Sequence, residues 1–323
     1  MNGDRPLVIL TRKWPNYVES ELSKHFNVEL NPEDRSFTQE EWLRAMERAD
    51  AICPTVTDTI DASLISHPGK TVKIIANYGA GVEHIDIESA RRGDIMVTNT
   101  PDVLTEATAE ITIALMLMIS RRAVEGEKLV RANRWHGWGI TEMLSTSVTG
   151  KTLGLIGMGR IATRVAEIAG HGFNMNIQYF SRSQVSLDRI SDLDVKRGSL
   201  DEILSTSDFV SIHCPVTKDT VRLIDSAALD LMQSHAFLIN TARGAIVDED
   251  ALASALELGL IAGAGLDVYQ NEPTINPRLL VLDNTVLLPH MGSGTRETRE
   301  AMGMKVVENL RAFFAGHNPP DQV

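Results

Sequence analysis

The sequence predicts an α/β protein of two domains with parallel sheets. Apolar runs of strand length alternate with helical patterns along the chain, and strands separated by helices imply parallel βαβ units. Six strand signals follow Lys151, which is typical of a doubly wound nucleotide-binding domain. With 323 residues, the chain is long enough for a second domain.

The first hundred residues predict a small α/β domain of their own. Strands are predicted at 7–10, 28–30, 51–53, 74–76 and 97–99, and helices at 17–26, 38–49 and 61–66. Pro101 stops the fifth strand because proline has no backbone donor.

The rest of the chain predicts longer elements. A helix at 105–122 is apolar nearly all round, so we expect it to be buried. The six strands are predicted at 152–156, 175–180, 209–213, 236–240, 263–268 and 286–288, with later helices at 200–205, 226–232, 248–258 and 295–314.

Composition argues against several classes of function. A net charge of −12 disfavours nucleic acid or an anionic membrane as the main partner, and the longest apolar run, Ile111 to Ile119, is too short to span a bilayer. Two distant cysteines, Cys53 and Cys214, form no disulfide framework, so a cytoplasmic location is expected. No metal site is expected.

A glycine-rich turn lies between the strand at 152–156 and the apolar helical pattern that follows. Gly157-Met-Gly159-Arg-Ile-Ala162 fits the dinucleotide fingerprint, with alanine in the third glycine position. Gly157 permits a tight turn, Gly159 lets a pyrophosphate approach the backbone, and Ala162 lets helix and strand touch. The helix N-terminus would face the phosphates.

Three further residues follow later strands, and together they indicate catalysis. They are Arg243, Glu272 and His290. A guanidinium can bind a carboxylate, a histidine can exchange a proton with an alcohol oxygen, and a carboxylate can hold that histidine in one tautomer. Beside a dinucleotide site they predict hydride transfer on a 2-oxo or 2-hydroxy acid, although each alone could be structural.

Another glycine-containing segment, Asn77 to Asp86, follows the fourth strand. Its glycines could form a nest of backbone N–H groups for a carboxylate, or an ordinary turn, and the segment alone leaves both interpretations open.

Seven stretches resemble the D-2-hydroxyacid dehydrogenase family, and within it the glyoxylate/hydroxypyruvate reductase branch. The resemblance covers nearly the whole length of the chain, and the stretches that carry it are 77–86, 99–110, 150–161, 240–244, 265–268, 272–273 and 289–293. The resemblance implies that Arg243 binds and polarises the 2-oxo acid, that His290 is the acid/base and that Glu272 pairs with it. The formate dehydrogenases of the family carry glutamine where Glu272 stands, which disfavours formate.

The resemblance also implies the binding residues. Those for substrate would be Tyr78, Ala80, Gly81, Trp138, Arg243 and His290, with backbone groups of Ala80 and Gly81 on the carboxylate. Those for an NAD(P) cofactor would be Thr108, Gly157, Gly159, Arg160, Ile161, Ser181, Arg182, Ser183, Cys214, Pro215, Thr220, Thr241, Ala242, Arg243, Asp267, His290 and Gly292. Asp267 would orient the nicotinamide carboxamide.

The family fold implies two Rossmann-like or flavodoxin-like domains, with the nucleotide domain inserted into a discontinuous substrate domain. Residues 1–101 and 290–323 would form the substrate domain and 102–289 the NAD(P)-binding domain, with a cleft between them. The loop that holds Trp135 and Trp138 resembles the family's dimer arm, which implies a homodimer in which Trp138 reaches the partner's active site.

The end of the second strand of the nucleotide domain bears on cofactor choice. NAD-preferring members carry aspartate there, to accept from the ribose 2′-OH, whereas this chain has Ser181 followed by Arg182 and Ser183. These residues can donate to a 2′-phosphate, which favours NADPH, with NADH as the alternative.

The expected activity is NADPH-dependent reduction of glyoxylate or hydroxypyruvate. Alternatives are an NADH-dependent dehydrogenase acting on another D-2-hydroxy acid, such as lactate, phosphoglycerate or a bulkier acid, and a nicotinamide-sensing corepressor on the same fold. A weaker alternative is a different Rossmann enzyme, which would leave the matched motifs unexplained.

Overall fold

The structure, a computed structural model, describes residues 5–323 and divides the chain into two compact units. The terminal unit comprises the described residues up to Leu104 together with Ser293–Val323, and the central unit is Thr105–Gly292. The family resemblance implies divisions after residues 101 and 289, whereas these units divide after Leu104 and Gly292. Which unit binds substrate stays a prediction.

Both sheets are parallel throughout their described strands. The strands are β1 (Leu7–Leu10), β2 (Asn27–Glu29), β3 (Ala51–Cys53), β4 (Ile74–Ala76), β5 (Met96–Thr98), β6 (Thr152–Ile156), β7 (Asn176–Phe180), β8 (Val195–Arg197), β9 (Phe209–Ile212), β10 (Phe237–Asn240), β11 (Gly263–Leu266) and β12 (Thr285–Leu287). The terminal unit has the order β2-β1-β3-β4-β5, and the central unit β12-β11-β10-β9-β6-β7-β8. The predicted α/β fold class with parallel sheets is therefore confirmed.

The α-helices cover the faces of these sheets. They are α1 (Asn16–His25), α2 (Gln39–Arg48), α3 (Ala62–Ile65), α4 (Ile87–Arg92), α5 (Thr105–Ser120), α6 (Ala123–Arg131), α7 (Arg160–Phe173), α8 (Leu200–Thr206), α9 (Ser226–Leu231), α10 (Glu249–Glu257), α11 (Pro277–Leu280) and α12 (Arg296–Phe314). No helix in residues 5–323 is long and apolar enough to cross a membrane.

The terminal unit has apolar layers on both faces of its sheet. Strands β3 and β4 are completely buried, as expected of parallel strands covered on both sides. Helix α2 begins with a capping box between Thr38 and Glu41. Helix α12 lies close to α1, where a Cβ on Gly303 would come within 2.6 Å of Val18, so glycine permits this approach.

The central unit contains seven strands, and the prediction of six was wrong. The missed strand is β8, an edge strand in which Lys196 and Arg197 are exposed, so it carries no apolar run. The predicted helix at 105–122 ends at Ser120, because Arg122 adopts a left-handed conformation (φ 52°) from which α6 begins. Helix α5 is largely buried, as expected, and packs against α7, β10 and β11.

The strand order of the central unit sets the position of its ligand site. Strand β6 lies between β9 and β7, so β7 and β8 extend the sheet on one side of β6, whereas β9 to β12 extend it on the other. Ligands of doubly wound sheets bind at the carboxyl ends of the strands beside such a reversal. At that point a Cβ on Gly157, after β6, would lie 2.7 Å from the Cys214 backbone nitrogen, after β9.

Candidate functional site

The glycine-rich turn has the geometry of a phosphate-binding loop. Gly157 has a positive φ of 92°, and the loop after β9 leaves no room for a side chain there. A Cβ on Gly159 would have no neighbour within 4 Å, so the backbone is open to a ligand. Ala162 is fully buried where α7 packs against the unit's core. Helix α7 starts at Arg160 without a side-chain cap, which leaves its first N–H groups for an anion.

Basic side chains surround the end of β7. Ser181 is half-buried, whereas Arg182 and Ser183 are exposed. The Arg182 guanidinium lies 3.5 Å from Asp219, and Nη2 of Arg197 donates to the Ser181 carbonyl at 2.8 Å and to the Arg182 carbonyl at 3.2 Å. The turn is therefore held by Arg197, which sequence reasoning missed because β8 gave no strand signal.

The first part of the loop after β9, residues 213–216, has no charged side chain near neutral pH, and the Thr220 hydroxyl helps to hold its shape. Burial raises the pKa of the Cys214 thiol to about 11 and lowers the pKa of His213 to about 3, so both side chains stay neutral near pH 7. Thr220 is buried, and its hydroxyl donates to the Pro215 carbonyl at 2.7 Å. Neutral groups here form a wall that suits an uncharged ring.

Asn240 shapes the turn that carries Arg243. Its Nδ2 donates to the Arg243 carbonyl at 2.9 Å, and its Oδ1 accepts from the Ala242 N–H at 3.0 Å. A Cβ on Gly244 would lie 1.9 Å from the Tyr269 carbonyl carbon, so only glycine fits. Beside this turn, Thr241 bonds Thr112 through their hydroxyls at 2.9 Å.

Asp267, directly after β11, is a buried carboxyl with one oxygen unused. Oδ1 accepts from the Met291 N–H at 2.8 Å, while Oδ2 has no hydrogen-bond partner among the described residues. Burial raises the pKa of Asp267, although the Met291 N–H and the nearby His290 oppose that rise. An unused buried acceptor leaves a place for a ligand donor such as a carboxamide NH₂.

Glu272 and His290 form a direct pair. Nδ1 of His290 lies 2.6 Å from Oε2 of Glu272, and Oε1 of Glu272 accepts from the Tyr269 N–H at 2.9 Å. Burial raises the pKa of Glu272, but the hydrogen bonds from His290 and Tyr269 outweigh it, so the net pKa lies below the usual value. Glu272 is therefore ionised near neutral pH, and Nδ1 of His290 carries the proton of this bond.

The backbone of His290 is in the left-handed conformation (φ 51°). Two residues later, Gly292 contacts Thr108 of α5. The Gly292 carbonyl accepts from the Thr108 hydroxyl at 3.3 Å, and both residues are buried. A Cβ on Gly292 would lie 3.3 Å from Oδ2 of Asp267, which would narrow the space beside the unused oxygen. The structure thus brings together the predicted Thr108, Asp267, His290 and Gly292.

The predicted substrate loop lies in the terminal unit, after β4. Ala80 and Gly81 are half-buried. Tyr78 is buried, its hydroxyl donates to the Arg299 carbonyl, and burial raises its pKa to about 12. Its hydroxyl is therefore committed to the protein, and a substrate contact by Tyr78 stays a prediction.

Trp138 is the most exposed large apolar side chain of the described residues, with 84% of its surface accessible. Its role stays a prediction, as do the cofactor contacts of Arg160, Ile161, Pro215 and Thr241.

Comparison with known proteins identifies the family. The family described as "D-isomer specific 2-hydroxyacid dehydrogenase, NAD binding domain" matches residues 113–292. A glyoxylate reductase of Aeropyrum pernix is 45% identical, over 99% of this chain and 96% of that protein. This chain therefore belongs to the D-2-hydroxyacid dehydrogenase family, and its resemblance to the glyoxylate reductase branch is confirmed.

Solved structures agree with this assignment. A protein of Thermus thermophilus has a TM-score of 0.91 at 42% identity, covering 98% of this chain and 99% of that chain. An NADPH-dependent glyoxylate/hydroxypyruvate reductase of Sinorhizobium meliloti, solved with NADP and malonate, has a TM-score of 0.85 at 32% identity, covering 99% and 97%. The chain is a nicotinamide-dependent oxidoreductase.

The central unit fits a nicotinamide dinucleotide. The open backbone at Gly159 leaves room for the pyrophosphate, the uncapped N-terminus of α7 offers donors to it, and Oδ2 of Asp267 offers an acceptor to the carboxamide.

We predict opposite effects of Asp267→Asn on stability and on cofactor binding. The raised pKa of Asp267 means that its ionised form is disfavoured in the folded protein, so above that pKa the charge lowers stability. The cofactor-free variant should therefore unfold at an equal or higher temperature at pH 8. The variant's dissociation constants for NADPH and NADH should rise about tenfold or more, because an NH₂ group in place of Oδ2 cannot accept a hydrogen bond from the carboxamide NH₂ of the cofactor. Thermal unfolding and calorimetric titration measure both quantities, and an unchanged dissociation constant would contradict the role of Asp267.

Proposed function

We propose that this protein catalyses NADPH-dependent reduction of a small 2-oxo acid, glyoxylate or hydroxypyruvate, to the 2-hydroxy acid. The observation that carries the proposal is the Glu272–His290 pair, 2.6 Å apart, in the same unit as the glycine turn and the unused oxygen of Asp267. The names of the relatives support this substrate class.

His290 is the proton donor. Its Nδ1 proton is held by Glu272, and Nε2 has no hydrogen-bond partner among residues 5–323. Nε2 can therefore give its proton to the substrate oxygen as the keto group becomes an alcohol. A bound nicotinamide cofactor would supply a hydride to the keto carbon, and this hydride together with the proton from His290 would account for the alcohol product.

Glu272 and Arg243 support this transfer. Ionised Glu272 stabilises the positively charged imidazolium from which the proton leaves, and it fixes the orientation of the ring. Arg243 binds the 2-oxo acid and polarises its keto group. The turn that presents Arg243 is fixed by the two hydrogen bonds of Asn240.

His290→Gln tests the acid/base role. We expect kcat for glyoxylate reduction to fall by about 10²- to 10⁴-fold, because glutamine cannot give up a proton, while NADPH affinity stays nearly unchanged. His235→Gln is the matched control, because His235 also meets a carboxylate, Asp208, at 3.0 Å but lies on the surface. Equal kcat values for the two variants would refute the assignment.

The end of β7 supports a preference for NADPH. No carboxylate stands at position 181, and Ser181, Arg182 and Ser183 can all donate to a 2′-phosphate. The Arg182–Asp219 pair is exposed and worth little, so Arg182 can turn to a phosphate at small cost.

We expect kcat/KM to favour NADPH over NADH by about tenfold or more. The double variant Ser181→Asp, Arg182→Ala should reverse the preference, because the new carboxylate repels the 2′-phosphate and binds the ribose hydroxyls. Arg222→Ala is the control, since Arg222 is another exposed arginine paired with an aspartate, Asp248. A wild-type preference for NADH would overturn the proposal.

The tryptophan-containing segment supports a homodimer. Four apolar side chains after α6 are more than half exposed, namely Trp135, Trp138, Ile140 and Leu144. Such a patch is typical of an interface, and we infer that a second copy of the chain covers it. Sedimentation velocity should give the mass of two chains, and a monomer at micromolar concentration would contradict this inference.

A further inference from the structure

The turn after β4 has an unusual hydrogen-bond pattern. In residues 79–82, here called the amide turn, all four carbonyl groups accept hydrogen bonds from the protein. The Gly79 carbonyl accepts from Nδ2 of Asn77 at 2.9 Å and from the Thr100 N–H at 3.0 Å, and the Gly81 carbonyl accepts from the same Nδ2 at 2.8 Å. The Ala80 carbonyl accepts from Nδ2 of Asn99 at 2.7 Å, and the Val82 carbonyl from a backbone N–H at 3.0 Å.

The N–H groups of the amide turn show the opposite pattern. Among residues 5–323, none of these four donors has a hydrogen-bond acceptor. Residues 80–82 are only half-buried, so a ligand can reach them. A turn whose acceptors are all used and whose donors are all unused is suited to an anion.

Peptide geometry connects the two patterns. In a trans peptide, the carbonyl of one residue and the N–H of the next point in opposite directions. When Asn77 holds the carbonyls of Gly79 and Gly81 towards itself, it turns the N–H groups of Ala80 and Val82 away. Asn99 acts in the same way on the N–H of Gly81, through the Ala80 carbonyl.

Asn77 is itself fixed in one orientation. It is fully buried, and its Oδ1 lies 3.0 Å from Nε2 of His84. An amide oxygen only accepts, so Nε2 of His84 donates this bond. Rotating the amide by half a turn would place a donor against His84 and an acceptor against two carbonyls, so only one orientation satisfies all three bonds.

We propose that Asn77, together with Asn99, is a positioning residue that aims the N–H groups of Ala80, Gly81 and Val82 at the carboxylate of the substrate. This inference rests on the proposed function, since it takes the ligand to be a 2-oxo acid. It adds the Val82 N–H as a third donor, which a carboxylate with two oxygens and about four acceptor sites can use. The two asparagines follow β4 and β5 directly, so neighbouring strands fix their separation.

Asn77→Ala and the control Asn31→Ala test the proposal. Asn31 is also a buried asparagine of the terminal unit, and its Nδ2 also donates to two carbonyls, of Thr11 at 2.8 Å and Arg35 at 2.7 Å. Both variants lose two such bonds, so the melting temperatures of both should fall. Only Asn77→Ala should raise KM for glyoxylate, by roughly 10- to 100-fold, with a smaller change in kcat and no change in the NADPH dissociation constant.

Asn99→Ala keeps the proposal testable if Asn77→Ala does not fold. It removes one side-chain hydrogen bond to the amide turn instead of two, so KM should rise by a smaller factor. The inhibition constant of oxamate, which carries the same carboxylate, should rise in parallel with KM in both variants. Equal KM values in Asn77→Ala, Asn99→Ala and Asn31→Ala would overturn the proposal. A loss of NADPH affinity as large as the rise in KM, in both Asn77→Ala and Asn99→Ala, would also overturn it.

The outcome separates this inference from the proposed function. A wild-type protein that reduces neither glyoxylate nor hydroxypyruvate would refute the function. Calorimetric titration with oxamate would still measure carboxylate binding by the amide turn. A loss of oxamate affinity in Asn77→Ala and Asn99→Ala, but not in Asn31→Ala, would support the role of the asparagines in that case too.

Discussion

The parallel arrangement of the strands is the constraint on which the rest of the structure depends. Within residues 5–323 every paired strand of both sheets runs parallel to its neighbours, so all carboxyl ends of a sheet lie at one edge. In the central unit this edge carries the glycine turn, Arg243, Asp267 and His290 on four different loops. Residues from separate loops thus become neighbours, since Gly157 lies against Cys214 and His290 against Glu272.

Asparagines at strand ends fix the shape of two loops in this structure. Asn240 fixes the turn of Arg243 from within that turn, whereas Asn77 and Asn99 fix the amide turn from two neighbouring strands. An asparagine side chain suits this task because it offers a donor and an acceptor on a short, planar group. Two kinds of donor would then meet the ligand, namely a guanidinium and backbone N–H groups. The guanidinium carries positive charge and the N–H groups mimic it, in a chain whose net charge is −12.

Most of the fold could be predicted from the sequence, because apolar runs and helical periodicity report burial directly. Strand β8 could not, since an exposed edge strand has no apolar run, and α6 could not, since the left-handed Arg122 that separates it from α5 leaves no sequence signal. Gly157, Glu272 and His290 could be found from motifs and from their positions after strands. The bonds of Asn77 and Arg197 could not, because they depend on which carbonyls the fold brings within reach.

Initial rates of nicotinamide oxidation by the wild-type protein would test the central claim most directly. The substrates would be glyoxylate, hydroxypyruvate and pyruvate, each with NADPH and with NADH. Rapid oxidation of NADPH with glyoxylate or hydroxypyruvate is the expected result, because the Glu272–His290 pair can supply the proton that a small 2-oxo acid needs. No oxidation with any of the six combinations, from a protein that binds NADPH, would contradict the proposed function.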